Sequence, residues 1–151
     1  MTYYRPMTKE DIVDVLALDL RKADRAEAKA ALNAGSADAL AYSLANSVEV
    51  WVVIHLGKIE AVFGICLGGI PWFLATDKFK EFKITFAKES KSMVKALLRK
   101  YGTLQNTVDS RNEDAIKWLR WLGFIVDAEN EIYLYDYNVP FYSFILKEVV
   151  T

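Results

Sequence analysis

The stretch "VDSRNEDAIKWLRWLGF", residues 108–124, decides how the rest of the chain is read. It starts as an extended end, passes through a polar turn, enters a short amphipathic helix and closes on Gly123-Phe124. Ser110-Arg111-Asn112-Glu113 has the spacing of a capping box. Ser110 is the expected N-cap and Glu113 reaches back from the third helical position, so the helix start needs no ligand. In that geometry Asn112 stands in the first turn with its side chain free. Ala115, Ile116, Leu119 and Leu122 share a core face by helical spacing. Trp118 and Trp121, three apart, either form an apolar patch for a partner protein or lie half-buried against the C-terminal strands.

Upstream of this unit, "TLQNTVD" reads as a strand and "AKESKSMVKALLRKYG" as the clearest helix. In the latter, Met93, Leu97 and Tyr101 recur every fourth residue, as do Val94 and Leu98, and Gly102 stops it. Before it come three strands: "VEVWVVIHL", "IEAVFGICLG" and "GIPWFLATD". Gly57-Lys58 is the expected two-residue hairpin loop between the first two. The N-terminal part reads as a short strand into Pro6, then one helix from Thr8, with Asp11 as capping partner, to the Asn33-Ala34-Gly35 stop. A second helix restarts at Ser36. Downstream, "FIVDAENEIYLYDYNVPFYSFILKEV" reads as two strands around Asn138-Val139-Pro140, with Tyr133, Tyr135 and Tyr137 on one side of a strand. Helices set between serial strands imply an α/β class fold, a mixed sheet covered on both faces.

Bulk properties bound the function. At 151 residues the chain has a one-domain length. Hydrophobic residues make up 53% and charged residues 26%, a globular balance. A net charge of -1 gives no sign of a nucleic-acid partner or an anionic membrane, although a local basic stretch can still hold a phosphate. One cysteine, Cys66, excludes an intrachain disulfide, and with a single histidine no metal site is expected. The N-terminus lacks the apolar core of a secretory signal. The longest apolar run is broken by Glu49, His55, Lys58 and Glu60, so it reads as two strands and not as a membrane span. The expectation is a soluble domain of intracellular type.

The order of elements resembles the GNAT acyltransferase fold, and the supporting residues are local. "RPMTKEDIVDVLALD" resembles the GNAT opening, "VWVVIHLGKIEAVFGI" its central hairpin, and "NEDAIKWLRWLGF" its late corner. Together they span nearly the whole chain, so residues 1–151 are read as one GNAT-like domain. "ADRAEAKAALNAG", "PWFLATD", "LLRKYGTLQNTV" and "NEDAIKWLRWLGF" together resemble the internal virion protein A family of short-tailed bacteriophages. That resemblance implies a role in virion assembly or host takeover, in the host cytoplasm or the particle. Partners would be virion or host proteins, met through Trp118, Trp121 or the tyrosine-rich late strands.

The GNAT resemblance implies acetyl-CoA as cofactor and an amine as acyl acceptor. It also implies a cradle for the cofactor pyrophosphate, built in GNAT enzymes from glycines at the start of the central helix. Here the matching stretch, "ATDKFKEFKITFAKES", has no glycine. The overlay puts Lys80 at the polar lead position, with Lys83 and Thr85 at the two glycine positions. Either the lysines hold a phosphate as point charges, or they are a solvated face and the pocket is lost. The resemblance places the amide that polarises the thioester carbonyl between Trp72 and Thr76, making Leu74 and Thr76 cofactor contacts. It places Asn112 near the cofactor. Glu60 is the matching candidate base, with Glu49 and His55 on the same hairpin, and Tyr135 is the candidate acid.

Overall fold

The computed structural model describes residues 1–149. Strand β1 (Thr2–Pro6) leads through a 3-10 turn at Lys9–Asp11 into α1 (Ile12–Leu16), α2 (Lys22–Leu32) and α3 (Ser36–Asn46). Three strands follow: β2 (Ser47–His55), β3 (Lys58–Cys66) and β4 (Ile70–Ala75). The chain ends as α4 (Phe79–Tyr101), β5 (Thr103–Asp109), α5 (Glu113–Trp121), β6 (Ile125–Ile132) and β7 (Phe141–Lys147). The expected mixed sheet is in fact two antiparallel sheets, ordered β1-β2-β3-β4 and β5-β7-β6.

The continuous apolar run of the hairpin has a simple cause: both faces of β2 and β3 are buried. Val52, Ile54 and Val62 face α1 and α3, against Val15, Leu18, Leu20 and Leu40. Val53, Ala61 and Phe63 face the opposite way, onto Phe79, Phe82 and Phe86 of α4. The second sheet closes its own core with Leu104, Val108, Phe124, Val126 and Phe144 beneath Leu97 and Ile116.

Several local expectations shift. The N-terminal helix is not continuous: α1 ends at Leu16, and Leu20 forms an isolated antiparallel bridge with Thr76 before α2 begins. The hairpin loop is Leu56-Gly57, both at positive φ (50° and 81°), with His55 and Lys58 paired across it. This geometry matches the twist of the flanking strands. The central helix begins at Phe79, eight residues before the periodic stretch. The Phe79, Phe82 and Phe86 spacing is a helical core face. Strand β6 stops at Ile132, so Tyr133, Tyr135 and Tyr137 lie in the connection to β7 and do not share one side of a strand. The N-cap of α5 is Asn112, whose side chain accepts from Ala115 N–H at 3.3 Å, and not Ser110.

The two sheets meet only where β4 and β5 begin. Gln105 N–H donates to Gly69 C=O at 3.0 Å, and Asn106 Nδ2 donates to Pro71 C=O at 2.8 Å. Gly69 is required there, because a Cβ would fall 2.2 Å from the Thr103 carbonyl oxygen. Beyond this junction the strands diverge, and no hydrogen bond joins them among the described residues.

Candidate functional site

The divergence of β4 and β5 opens a cleft of about 640 Å³. That is within the range of small-molecule sites. On one side it is lined by Ala28, Ala31 and Tyr42 from α2 and α3, on the other by Met93, Trp118 and Leu119 from α4 and α5. Its wall is mostly apolar, so the few polar groups decide what it can hold.

Strand alternation says which backbone groups face it. Thr76 N–H turns towards β3, donating to Glu60 C=O at 3.0 Å. The N–H and C=O groups of Phe73 and Ala75, and the C=O of Pro71, therefore point the other way, toward the split. Pro71 C=O is taken by Asn106. Ala75 C=O accepts from Arg21 N–H at 2.9 Å, and Ala75 N–H donates to Asp24 Oδ2 at 2.9 Å. Of these three residues, Phe73 alone has its backbone pair without a partner among the described residues, open to the cleft.

Helix α2 bridges the diverging strands. Asp24 holds β4 through Ala75 N–H, and Glu27, one turn on, accepts from Asp109 N–H of β5 at 2.9 Å. Asp24 also takes a two-pronged bond from Arg21, at 2.8 and 3.1 Å. Asp109 is only 2% exposed and is matched by Arg111, with its closest contact at 2.6 Å. No cation pairs with Glu27 among the described residues. Burial pushes its carboxyl up to about 7; the Asp109 N–H pulls the other way, the Asp24 and Asp109 carboxylates add to the rise, and Arg21 opposes it.

The far end of the cleft is filled by rings. The Arg21 guanidinium lies 4.9 Å from the Phe79 ring centre and 5.8 Å from that of Phe73. Trp118 meets Phe73 edge-on at 5.2 Å and stands 5.9 Å from Phe86. Its buried Nε1–H has no acceptor among the described residues.

At the start of α4 the first amides are satisfied by the chain itself. Lys78 N–H donates to Thr76 Oγ1 at 3.2 Å, and Phe79 N–H to Thr76 C=O at 3.1 Å. Lys80 N–H goes to Asp77 C=O at 3.4 Å and Glu81 N–H to Lys78 C=O at 2.9 Å. These are the orphan donors that a helix N-terminus otherwise offers to an anion. Glu81 adds a negative charge beside them, bonded to His55 and paired with Lys78, each at 3.3 Å.

The residues singled out from the sequence fall in different places. Lys80, Lys83 and Thr85 lie within α4 with exposed side chains, not in a loop. Leu74 lines the cleft, while Thr76 donates through Oγ1 to Glu60 at 2.6 Å. Glu60 opens on a separate polar hollow with Arg5, Asp11, Lys58 and Lys80. Tyr135 is 60% exposed and lines neither space, so the structure does not bring it to Glu60. Asn112 reaches the cleft, but its side-chain oxygen caps α5. Glu49 accepts from Tyr101 Oη at 2.7 Å and pairs with Lys100 at 3.1 Å, which holds its carboxyl below the usual range. Trp118 is half-buried; Trp121, 46% exposed, lies under Lys91 Nζ at 3.9 Å. No group of three or more metal-ligating side chains occurs among the described residues. No helix there is long and apolar enough to cross a membrane.

Sequence reasoning missed Asp24 and Glu27. Their three-residue spacing in "ADRAEAKAAL" puts both on one helix face, but only the tertiary fold aims that face into the split.

Comparison with solved structures defines the class. A GNAT-family acetyltransferase from Streptococcus pneumoniae superposes with a TM-score of 0.63 at 14% identity, covering 98% of this chain and 100% of that one. Spermidine N-acetyltransferase from Vibrio cholerae, solved with CoA and spermine, gives 0.67 at 12% identity, covering 97% and 95%. A GCN5-related N-acetyltransferase from Kribbella flavida gives 0.68 at 14%, covering 97% and 98%. No family model and no curated protein matches the sequence significantly. The chain therefore has a GNAT-like acetyltransferase fold.

Proposed function

We propose that this is a phage-encoded GNAT-fold protein of the internal virion protein A type, acting in virion assembly or host takeover without acetyl-CoA bound in the GNAT manner. The observation that carries the second half is the closed start of α4. The amides of Lys78, Phe79, Lys80 and Glu81 already have acceptors within the chain. A pyrophosphate arriving there would have to displace those bonds beside the Glu81 carboxylate. The edge of β4 nearest that point is covered too, by Arg21 and Asp24 on Ala75. The phage assignment rests on the four sequence stretches named above.

An acetyl-CoA-dependent N-acetyltransferase is the second reading. It is favoured by the open backbone pair of Phe73 in a cleft of about 640 Å³, and by the CoA bound in the Vibrio cholerae structure of the same fold.

Thermal unfolding with millimolar acetyl-CoA separates the two. A ligand at a hundred times its dissociation constant stabilises by about 2.7 kcal/mol, a shift of several degrees. An unchanged melting temperature is expected; a rise of that size overturns the first reading in favour of the second.

A further inference from the structure

The net charge of -1 conceals a strong segregation. Helix α4 carries seven basic residues and two acidic ones, a balance of +5, so the rest of the chain stands at -6. Outside α4, five cations are paired: Arg5 with Asp11, Arg21 with Asp24, Arg25 with Asp19, Lys78 with Glu81 and Arg111 with Asp109. On α4, by contrast, Lys80, Lys83, Lys88, Lys91, Lys95 and Arg99 have no carboxylate within 4 Å among the described residues. All six are exposed.

Helical spacing places five of them, Lys80, Lys88, Lys91, Lys95 and Arg99, along one side, with Ile84 between the first two and Lys83 on the flank. Phe79, Phe82, Phe86, Ser90 and Leu97 mark the buried side of α4. Positions 80, 84, 88, 91, 95 and 99 follow three- and four-residue steps along the opposite side. At 1.5 Å per residue, Lys80 to Arg99 spans about 28 Å of helix.

We propose that this solvent face of α4 docks on the phosphate backbone of a nucleic acid, independently of base sequence. Duplex DNA offers roughly one negative charge per 1.7 Å of axis, an uninterrupted row that matches a straight line of cations. The cations are mostly lysines, compact point charges suited to phosphate contact and without the fork geometry that reads guanine. An anionic membrane fits less well. Interfacial helices bury a broad apolar face in the lipid, and the apolar face of α4 is already inside the protein core. Ile84 is the one large apolar side chain exposed on α4, and the exposed Trp121 ring of α5 is covered by Lys91. This inference stands whether or not the cleft binds acetyl-CoA.

Fluorescence anisotropy of labelled DNA of about 20 base pairs, measured at about 50 and 200 mM salt, tests it. The affinity is expected to fall about a hundredfold or more between these salts, as release of four or more counterions requires. The charge reversal K88E/K95E/R99E should abolish binding at an unchanged melting temperature. The reversal K22E/K29E/K58E, at exposed lysines elsewhere, should weaken it far less. Absence of binding at the lower salt, or equal losses in the two variants, overturns the proposal. So does retention by the α4 variant. Vesicles of phosphatidylcholine and phosphatidylserine that bind the protein when DNA does not would assign the face to a membrane and overturn it equally.

Discussion

Two carboxylates one turn apart on α2 hold the two sides of the split, yet they live in opposite electrical settings. Asp24, on the β4 side, accepts from Ala75 N–H and is gripped by Arg21. Glu27, on the β5 side, accepts from Asp109 N–H with no cation of its own and faces two other carboxylates. Asp24 is the less exposed of the two, so burial alone cannot explain the difference. The partner decides it: a matched charge strengthens a buried anchor, while an unmatched one is driven toward neutrality.

The largest expected effect comes from breaking the matched side. Asp24→Ala leaves the Arg21 guanidinium and the Ala75 N–H without their acceptor and should cost about 3 kcal/mol or more in urea unfolding. A loss well under 1 kcal/mol would mean that the β4 side is held by packing alone.

The unmatched side should respond in the opposite direction and only at high pH. The Glu27 carboxyl rises from 4.5 to about 7 on folding, so its favourable contribution is complete below 4.5 and is lost as pH rises through 7. Glu27→Gln keeps an acceptor for the Asp109 N–H and removes the ionisation. It should leave stability near pH 4.5 almost unchanged and raise the free energy of unfolding above pH 7 by on the order of 1–3 kcal/mol at most. A variant less stable than the parent at pH 8 would show that the ionised carboxylate is the stabilising form.

Between the two sides lies the ring cluster around Trp118, whose Nε1–H has no acceptor among the described residues. Trp118→Phe keeps a ring and removes the unpaired donor, so a change within about 1 kcal/mol is expected. Trp118→Ala should cost about 3 kcal/mol. Equal losses in the two variants would mean that the indole N–H, and not the ring packing, is what matters. The smallest effect lies far from the split. Leu56 sits at φ 50° in the hairpin loop, and Leu56→Gly should gain about 0.5–1 kcal/mol, read as a melting shift of a few degrees.

The legibility of the fold tracks local periodicity. Strand β5 was readable to the residue as "TLQNTVD" because its boundaries are marked by Gly102 and by the polar turn after Asp109. The left-handed helix end at Asn33 (φ 53°) was equally visible, since few residues tolerate that conformation. The first turn of α4 was not, because Lys78, Lys80 and Lys83 interrupt the apolar pattern that Phe79, Phe82 and Phe86 carry. The break between α1 and α2 was invisible too. It exists so that Leu20 and Arg21 can pair with the end of β4, some 55 residues away in sequence.

By itself the sequence determined the order of helices and strands apart from the break between α1 and α2, the doubly buried hairpin and the absence of glycine where a phosphate cradle would lie. Those features rest on period, turn chemistry and local sterics, all of which act over a few residues. Only the tertiary structure decided that α2 bridges the split, that Glu27 lacks a cation and that the first amides of α4 are satisfied within the chain. It also left most cations of α4 without a carboxylate partner among the described residues. Such facts depend on which distant groups meet across the core, and a buried donor or charge takes its properties from that meeting.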